Sequence, residues 1–262
     1  MTIVIPCFNE QRLLASCLES LAAQTVRPAE VLLVDNNSTD DSLSIARRFP
    51  FVKVIREPRQ GIVFARDAGF NAAKHGVIGR IDADSVLPPD WVQRVARFYQ
   101  VPANHRRALT GGGYFYNMRL PRLNGWWQGQ LAYRVNRLII GHYILWGSNM
   151  AITRSAWRAV SSGLCRRTDI HEDIDLSIHL RRAGFSITYL ENLRVGTYLK
   201  RVWDDKGDRL AHLNRWPRTL RLHDKPLWWM GVLGNIWLAG VLIPLFMGIE
   251  YLARLAGRKP LV

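Results

Sequence analysis

The sequence lacks the two glycine-rich turns by which large classes of enzymes hold phosphate groups. It contains neither the Gly-x-Gly-x-x-Gly turn of dinucleotide-binding enzymes nor the Gly-Lys-Ser/Thr of P-loop enzymes. Its one glycine run, residues 111–113, we interpret as close backbone packing or a strand bend. If the chain binds phosphates, a metal ion rather than a glycine loop would have to neutralise them.

Cysteine is scarce as well. The three cysteines Cys7, Cys17 and Cys165 leave one unpaired in any disulfide scheme, and their spacing is not typical of zinc ligands. We therefore expect a reducing compartment and packing roles for all three.

The first residues also lack the pattern of a signal peptide, because residues 2–6 read as a strand and polar residues follow. The N-terminal part is expected to stay in the cytoplasm.

Acidic residues are few compared with basic ones. The chain has 21 Asp and Glu against 36 Lys and Arg, which gives a formal net charge of +15 and a pI near 10.4. Such a balance indicates an anionic partner, and nucleic acid, an anionic membrane and a phosphorylated substrate all qualify. The 262 residues, 48% of them hydrophobic, suffice for a substantial core and exclude a disordered chain.

Short apolar runs alternate with segments of helical spacing through the first third of the chain. The runs cover residues 2–6, 30–35, 52–57 and 77–84, and a helical pattern follows each of the first three. This alternation predicts a parallel sheet wound with helices, an α/β fold. Ligands of such sheets bind beyond the carboxyl ends of the strands.

Two carboxylates, Asp82 and Asp84, stand at the end of the fourth apolar run. Residues two apart in a strand point to the same face, so both side chains can converge on one ligand. Two adjacent anions repel each other unless a cation lies between them. Mg²⁺ or Mn²⁺ is the expected ion, because hard cations take carboxylate and phosphate oxygens. A plain strand-to-loop turn with aspartates capping backbone amides is the alternative.

Six segments in order resemble the motifs of family 2 glycosyltransferases of the GT-A fold. The segments are TIVIPCFNE, EVLLVDNNSTDDS, GIVFARDAGFNAA, IDADSVLPPDWV, WGSNMAITRSAW and HEDIDLSIHLRRAGF. The resemblance covers residues 1 to about 190 and implies a Rossmann-like, mostly parallel sheet. It also implies transfer of a sugar from a nucleoside diphosphate sugar, with inversion at the anomeric carbon.

The resemblance implies roles for individual residues on the donor side. Asp35 would bind the nucleotide base, Asp82 the ribose or the metal shell, and Asp84 the metal ion itself. Arg66, like Arg80, would lie near the diphosphate, although a surface or core-lining arginine is equally compatible with the sequence. The complete donor-binding set is Pro6, Asn9, Glu10, Asp35, Arg66 and Asp82.

The catalytic and acceptor sides are implied by the two later motifs. Asp173 matches the family's general base, and Glu172 precedes it in the Glu-Asp motif. Acidic residues are also favoured in any first helical turn, which is the structural alternative. Gly147, Ser148 and Asn149 match the segment on the acceptor side, for which an ordinary β-turn is the alternative.

The composition changes after residue 190. We predict a catalytic domain at 1–198, with a donor half at 1–100 and an acceptor half at 101–198, followed by a basic interfacial segment at 199–226, a membrane helix at 227–249 and a basic tail at 250–262. The 23 residues of 227–249 carry no formal charge, and such a helix would reach about 35 Å, enough for a hydrocarbon core of about 30 Å. Because Asn235 and Pro244 interrupt it, a re-entrant or interfacial helix is the alternative.

Together these features predict a metal-dependent, inverting hexosyltransferase at the cytoplasmic face of a membrane. Its expected partners are a nucleoside diphosphate sugar, a lipid-linked or saccharide acceptor of the kind used for cell-envelope polysaccharide, and membrane lipids. One alternative is a polyprenyl-phosphate glycosyltransferase, whose anionic acceptor needs no general base. The other is a basic nucleic-acid-binding protein, which the charge favours but which leaves the acidic motifs unexplained, so nucleic acid is not the expected partner.

Overall fold

The computed structural model describes residues 1–120, 125, 133–199, 208–237, 243–257 and 259. These residues form two compact units. The first comprises Met1–Gly112, Ile144–Thr168 and Glu172–Val195. The second takes in the described residues of Gly113–Tyr143, Asp169–His171 and Gly196–Val262. The predicted catalytic domain, 1–198, thus contributes residues to both units.

Strands and helices alternate along the N-terminal half, as expected. In chain order the elements are β1 (Thr2–Cys7), α1 (Leu14–Ala22), β2 (Glu30–Asp35), α2 (Ser42–Arg47), β3 (Val52–Arg56), α3 (Ile62–Ala72), β4 (Val77–Arg80), α4 (Trp91–Gln100), a 3₁₀ turn (Pro102–Arg106), β5 (Arg107–Phe115), α5 (Tyr133–Ile140), β6 (Met150–Thr153), α6 (Arg154–Val160), α7 (Glu172–Arg182), β7 (Ser186–Thr197), α8 (Asp208–Leu222), α9 (Trp228–Trp237) and α10 (Ile243–Leu255).

The strands form a seven-stranded sheet in the order β3-β2-β1-β4-β6-β5-β7. The first four strands are parallel, whereas β6 runs antiparallel to both β4 and β5. The parallel sheet wound with helices is thereby confirmed for β1 to β4, and the sheet as a whole is mixed. In the register Cys7 lies beside Asp35, so β1 and β2 end at the same edge.

The core lies on both faces of the central strands. Every residue of β1 and β2 is buried, which explains why their sequences show no polar alternation. Helix α3 packs closely on these strands, because a Cβ atom on Gly69 would lie 2.3 Å from the Val4 side chain. Cys7 and Cys17 belong to this core, whereas Cys165 is partly exposed.

Strand β4 ends at Arg80, earlier than the sequence suggests. Asp82 and Asp84 therefore lie in the loop after the strand, and the strand geometry used to pair them does not extend to them. Burial nevertheless alternates through this loop, since Ile81 and Ala83 are buried while Asp82 and Asp84 are partly exposed. The expectation that the two carboxylates share one side is consistent with this pattern.

The second unit is built largely from helices. Trp216 on α8 donates its indole N–H to Asn136 of α5, with 2.7 Å between nitrogen and oxygen. Lys225 donates to the backbone oxygen of Ile140 at 3.2 Å. Helix α8 occupies most of the predicted interfacial segment, 199–226, and residues 200–207 of that segment lie outside the described residues.

The segment predicted as one membrane helix, 227–249, contains α9 and the beginning of α10, and residues 238–242 between them lie outside the described residues. Within the described part of the chain, no helix has both the length and the apolar character needed to span a bilayer. Helix α10 continues past the predicted boundary at 249 and includes Glu250 and Arg254 before it ends at Leu255.

Candidate functional site

The loops after β1 and β2 hold each other at the carboxyl edge of the sheet. Asn9 adopts a left-handed backbone conformation with φ of 53°, which asparagine tolerates better than most residues. Its side-chain oxygen accepts a hydrogen bond from the backbone N–H of Thr39 at 2.8 Å. The N–H of Glu10 donates to the Ser42 hydroxyl at 2.7 Å. The predicted donor residues Asn9 and Glu10 therefore lie in a fixed loop, with Asn9 exposed.

Asp35 lies at the end of β2 and is buried. Its Oδ1 atom accepts a hydrogen bond from the backbone N–H of Ser38 at 3.1 Å, which fixes the carboxylate in the turn. Pro6, also predicted on the donor side, lies inside β1 opposite Val34 and is buried. Pro6 can therefore shape the edge of the sheet, but its side chain has little surface to offer a ligand.

Asp82 is held by two side chains from different elements. Arg80 Nη2 donates to Oδ1 at 3.1 Å, and the Ser148 hydroxyl donates to Oδ2. The backbone N–H of Asp82 donates to the Ser85 hydroxyl at 3.1 Å, which closes the loop after β4. Asp84, two residues further, is partly exposed like Asp82.

A tight turn at residues 146–149 links Asp82 to the predicted base, Asp173. The turn is closed by the N–H of Asn149, which donates to the backbone oxygen of Trp146 at 2.8 Å. Within it the N–H of Gly147 donates to Asp173 Oδ2 at 3.3 Å, and the next residue, Ser148, donates to Asp82. Adjacent residues of one turn thus bind both carboxylates, which brings them into one site.

Asp173 lies in the first turn of α7 and is partly exposed. Its Oδ1 atom accepts a hydrogen bond from the N–H of Ile174 at 2.9 Å. Burial, and after it the neighbouring Glu172 carboxylate, raises the pKa of Asp173 to about 6. A carboxylate with this pKa is ionised at neutral pH and is basic enough to accept a proton from a hydroxyl group during a reaction.

Glu172 is buried between two arginines. Its Oε2 accepts from Arg66 Nη1 at 2.6 Å, and its Oε1 accepts from Arg80 Nη1. Burial alone would raise the pKa of Glu172, but Arg80 and Arg66 outweigh it and the pKa lies below its ordinary value. Burial likewise works against the charge of Arg80, yet Glu172 and Asp82 raise its pKa above the usual range. Glu172 and Arg80 therefore both remain charged.

Two predicted roles do not fit these positions. Arg66 has no exposed surface, and its remaining nitrogens donate to Asp67 at 2.8 and 3.0 Å, so it is not on a surface that a donor could contact. Asn149 is also fully buried. Its amide nitrogen donates to the backbone oxygens of Gly112 and Leu193, and its oxygen accepts from the Trp91 indole. Asn149 is thus a structural anchor of the turn and has no exposed surface to offer an acceptor.

The turn requires glycine at position 147, although its φ is ordinary. A Cβ atom there would lie 2.7 Å from the Arg80 guanidinium carbon, and Arg80 cannot retreat without losing its bonds to Glu172 and Asp82. We expect Gly147→Ala to lower the free energy of unfolding by about 1–3 kcal/mol, as overpacking does. Chemical denaturation would measure it. Gly76→Ala is the matched control, because a Cβ atom there meets nothing within 4 Å; equal stability of the two variants would contradict the clash.

The carboxylates fit a hard divalent cation. Asp82 and Asp84 offer oxygen ligands on one partly exposed stretch, which suits Mg²⁺ or Mn²⁺ completed by phosphate oxygens and water. Arg80 and Ser148 already bind the two oxygens of Asp82, so this residue would share its carboxylate with the ion or orient its shell. Asp84 remains the residue to which the family resemblance assigns direct ligation of the ion.

Comparison with known sequences gives a family match over most of this region. The model described as Glycosyl transferase family 2 matches residues 2–160. The putative glycosyltransferase EpsH of Bacillus subtilis is 31% identical over 101 residues, which are 37% of this chain and 29% of that protein. The chondroitin synthase of Pasteurella multocida is 33% identical over 97 residues, 36% of this chain and 10% of that protein. The matches span less than a third of these two relatives' lengths.

Solved structures resemble the chain over a longer range. A mannosyltransferase of Pyrobaculum calidifontis, solved with GDP-Man and Mn²⁺, has a TM-score of 0.64 and 17% identity, and the match covers 97% of this chain and 74% of that one. The glucosyl-3-phosphoglycerate synthase of Mycobacterium tuberculosis, solved with UDP, has a TM-score of 0.61 and 17% identity, covering 84% and 78%. At this identity the likeness establishes the fold, which is GT-A-like.

Proposed function

The chain belongs to glycosyl transferase family 2, and we propose that it transfers a sugar from a nucleoside diphosphate sugar with inversion at the anomeric carbon. The observation that carries the proposal is the turn at 146–149, whose adjacent residues Gly147 and Ser148 bind Asp173 and Asp82. Inverting transfer needs a base on one side of the sugar and charge stabilisation on the other. The turn holds Asp173, the proposed base, and Asp82, which lies beside the proposed site of a cation that would stabilise the diphosphate.

Asp173 is the proposed general base. As the acceptor hydroxyl attacks the anomeric carbon, its proton passes to a carboxylate oxygen of Asp173, and the bond from that carbon to the diphosphate breaks. The backbone N–H groups of Gly147 and Ile174 hold the carboxylate in position for this transfer. Glu172 has both oxygens bound by arginines, so we assign it a positioning role beside the base.

Asp84, with Asp82 beside it, is the proposed site of a divalent cation that neutralises charge growing on the diphosphate. The mannosyltransferase of similar fold was solved with Mn²⁺ and GDP-Man, which supports a metal and a nucleotide sugar here. Arg80 adds a fixed positive charge behind Asp82. Asp35 and the Asn9 loop, at the adjacent strand ends, are the proposed contacts for the nucleoside.

Donor binding should appear as thermal stabilisation. Because a ligand that binds only the folded protein stabilises it by about 2.7 kcal/mol at 100 times its dissociation constant, the cognate nucleoside diphosphate sugar should raise Tm in the presence of Mn²⁺. A panel of such sugars, each with and without Mn²⁺, would reveal the donor by differential scanning fluorimetry. In Asp84→Asn we expect the Mn²⁺-dependent part of the shift to disappear.

Asp90→Asn is the matched control, because Asp90 is a carboxylate of the same domain whose pairing with Arg94 is local to helix α4. It should retain the full Mn²⁺-dependent shift. An Asp84→Asn protein that is stabilised by donor and Mn²⁺ as strongly as the wild type would contradict the assignment of Asp84. If no member of the panel stabilises the wild type, the proposed donor class itself fails.

The proposed acceptor is a lipid-linked saccharide, reached by attachment of the C-terminal helices to the cytoplasmic face of a membrane. Helices α9 and α10 expose large apolar side chains, of which Leu233, Leu252 and Leu255 are more than half exposed. The Arg221 guanidinium lies 5.3 Å from the centre of the Trp228 ring, a pairing suited to the level of lipid headgroups. The net charge of +15 favours an anionic surface.

Flotation with liposomes tests the attachment. We expect the full chain to float with vesicles containing anionic lipid and to sediment with neutral ones. Leu252→Glu, a charge placed on the exposed face of α10, should weaken flotation, whereas Leu138→Glu, at a still more exposed position on α5, should not. Equal binding of both variants would contradict attachment through α10. Resistance to alkaline carbonate in cell membranes would instead favour a spanning helix.

A further inference from the structure

A cysteine, an aspartate and a histidine meet in the first unit, outside the residues assigned to sugar transfer. Cys165 lies between α6 and α7, and Asp175 and His179 lie on α7. The thiol sulfur, a carboxylate oxygen and a ring nitrogen of these residues lie within 4.8 Å of one another. Asp175 is fully buried, whereas Cys165 and His179 are partly exposed. Three chemically different metal ligands therefore converge beside the middle of helix α7.

The backbone holds this arrangement in place. Asp175 and His179 are four residues apart on a helix, so both side chains lie on one face, with 3.5 Å between Oδ1 and Nε2. The second carboxylate oxygen, Oδ2, accepts a hydrogen bond from the backbone N–H of Cys165 at 3.1 Å. Oδ1 thus faces the histidine, while Oδ2 fixes the cysteine beside the helix.

We propose that Cys165, Asp175 and His179 form a zinc-binding site that fastens the segment after α6 to helix α7. Zinc prefers sulfur and imidazole nitrogen with carboxylate oxygen, whereas Mg²⁺ and Ca²⁺ take oxygen ligands almost exclusively. In a tetrahedral site with bonds of about 2.0–2.3 Å, the ligand atoms lie roughly 3.5 Å apart. The Asp175–His179 separation already has this value, and the Cys165 sulfur lies within 4.8 Å of a ligand atom of each residue. Water can complete the fourth position, since two of the ligands are partly exposed.

The alternative is a hydrogen-bonded polar cluster that binds no metal. In that state burial and the Asp175 carboxylate raise the pKa of Cys165 to about 11, so the thiol stays protonated and donates to the carboxylate. The two states differ in one observable property, which is whether the sulfur bonds to a metal.

Because α7 begins with Glu172 and Asp173, a zinc ion here would stabilise the helix that carries the proposed base without contacting substrate.

Cobalt substitution distinguishes the two states. The purified full chain, stripped of metal by chelation, is titrated with Co²⁺ and followed by absorption. The proposal predicts a thiolate-to-cobalt charge-transfer band in the near ultraviolet together with intense visible bands of tetrahedral cobalt, and displacement of both by one equivalent of Zn²⁺. The absence of a thiolate band in correctly folded protein would overturn the proposal.

Variants assign the band to this cluster. Cys165→Ser should abolish the charge-transfer band, whereas Cys17→Ala should keep it, because Cys17 lies in the hydrophobic core. A band that persists in Cys165→Ser would overturn the assignment. Asp84→Asn should also keep the band, which separates this site from the catalytic cation, and the readout does not depend on sugar transfer. If Cys165→Ser does not fold, His179→Gln replaces it and should weaken Co²⁺ binding. His179 is partly exposed, so its substitution is less disruptive than a change of the buried Asp175.

Discussion

In the Asp173→Asn variant we expect sugar transfer to fall by about 10²- to 10⁴-fold, the usual contribution of a positioned base. Asparagine keeps the shape of the side chain and an oxygen for the N–H groups of Gly147 and Ile174, but it cannot accept the acceptor's proton. Because the change removes no group assigned to the donor, the donor should still stabilise the protein. Initial rates at saturating donor, with thermal shifts alongside, would measure both effects.

Asp90→Asn again serves as the control and should transfer sugar at the wild-type rate, since the Asp90–Arg94 pair takes no part in the proposed site. Wild-type turnover in Asp173→Asn would remove Asp173 from the mechanism. That outcome would favour the polyprenyl-phosphate alternative, because an acceptor that is already an anion needs no base. Loss of both donor binding and transfer would instead mean that the substitution disturbs the turn at 146–149.

The pH dependence of the rate follows from the same carboxylate. The pKa of Asp173 is raised to about 6 by burial and by Glu172, and only the ionised form accepts a proton. We expect kcat/KM to be level above pH 7 and to fall about tenfold per pH unit well below pH 6. The residual activity of Asp173→Asn should lack this break. A wild-type break near pH 4 would contradict the raised pKa.

The Asp173→Asn variant should be less active than the wild type but more stable at neutral and alkaline pH. A carboxyl whose pKa is higher in the folded state than in the unfolded chain costs stability when it is ionised, and this cost disappears as the pH falls from about 6 to the ordinary value of 3.8. Asp173→Asn should therefore melt above the wild type at pH 8, and the difference should shrink towards pH 4. Thermal melts at several pH values would measure it.

The N-terminal fold was predictable because its sequence signals are local. Strands β1 and β2 are apolar throughout since both faces are covered, and each is followed by residues at helical spacing. Adjacent parallel strands then place Asp35 and the loop after Cys7 at the same edge without further information. The antiparallel strand β6 is different. It has four residues and is inserted between β4 and β5, and no local pattern specifies that position.

The site was predictable only as far as residue type and order determine it. The acidic residues of the motifs and the Gly147–Ser148 turn were identified from the sequence, and the structure brings Asp82 and Asp173 to that turn. The pairing of the buried charges was not predictable from the sequence, because Arg66 and Glu172 are 106 positions apart in the chain. The sequence therefore suggested Arg66 as a phosphate ligand, whereas burial makes it a partner of Glu172.

The roles of Asn149 and Cys165 were also not predictable, because they depend on residues that are distant in the sequence. An asparagine beside a Gly-Ser pair has the sequence of an exposed turn, and only the tertiary fold shows Trp91, Gly112 and Leu193 using its side chain. The spacing of the cysteines gave no zinc motif, because two of the three proposed ligands, Asp175 and His179, are not cysteines. The one local signal was the four-residue spacing of Asp175 and His179, which is common on helices for other reasons.

Replacing Glu172 with glutamine should lower the free energy of unfolding by about 3–5 kcal/mol, the usual cost of removing one partner of a buried ion pair. Glu172 lies between the fully buried Arg66 and the almost fully buried Arg80, and each guanidinium group would lose one carboxylate partner. Asp67 and Asp82 would remain as partners, each for one arginine, so two positive charges would share two carboxylates instead of three. Urea denaturation at pH 7 would measure the change.

The control is a pair of the same chemistry in a different environment. Asp90→Asn breaks the Asp90–Arg94 pair, whose side chains are each about one-third exposed, and should cost at most about 1 kcal/mol. The acid response separates the two variants further. The depressed pKa of Glu172 gives the wild type stability that is present above about pH 4.5 and is lost as the pH falls through the folded-state pKa. Glu172→Gln should lack this acid-dependent loss, and an unchanged acid transition would mean that Glu172 does not hold the two arginines.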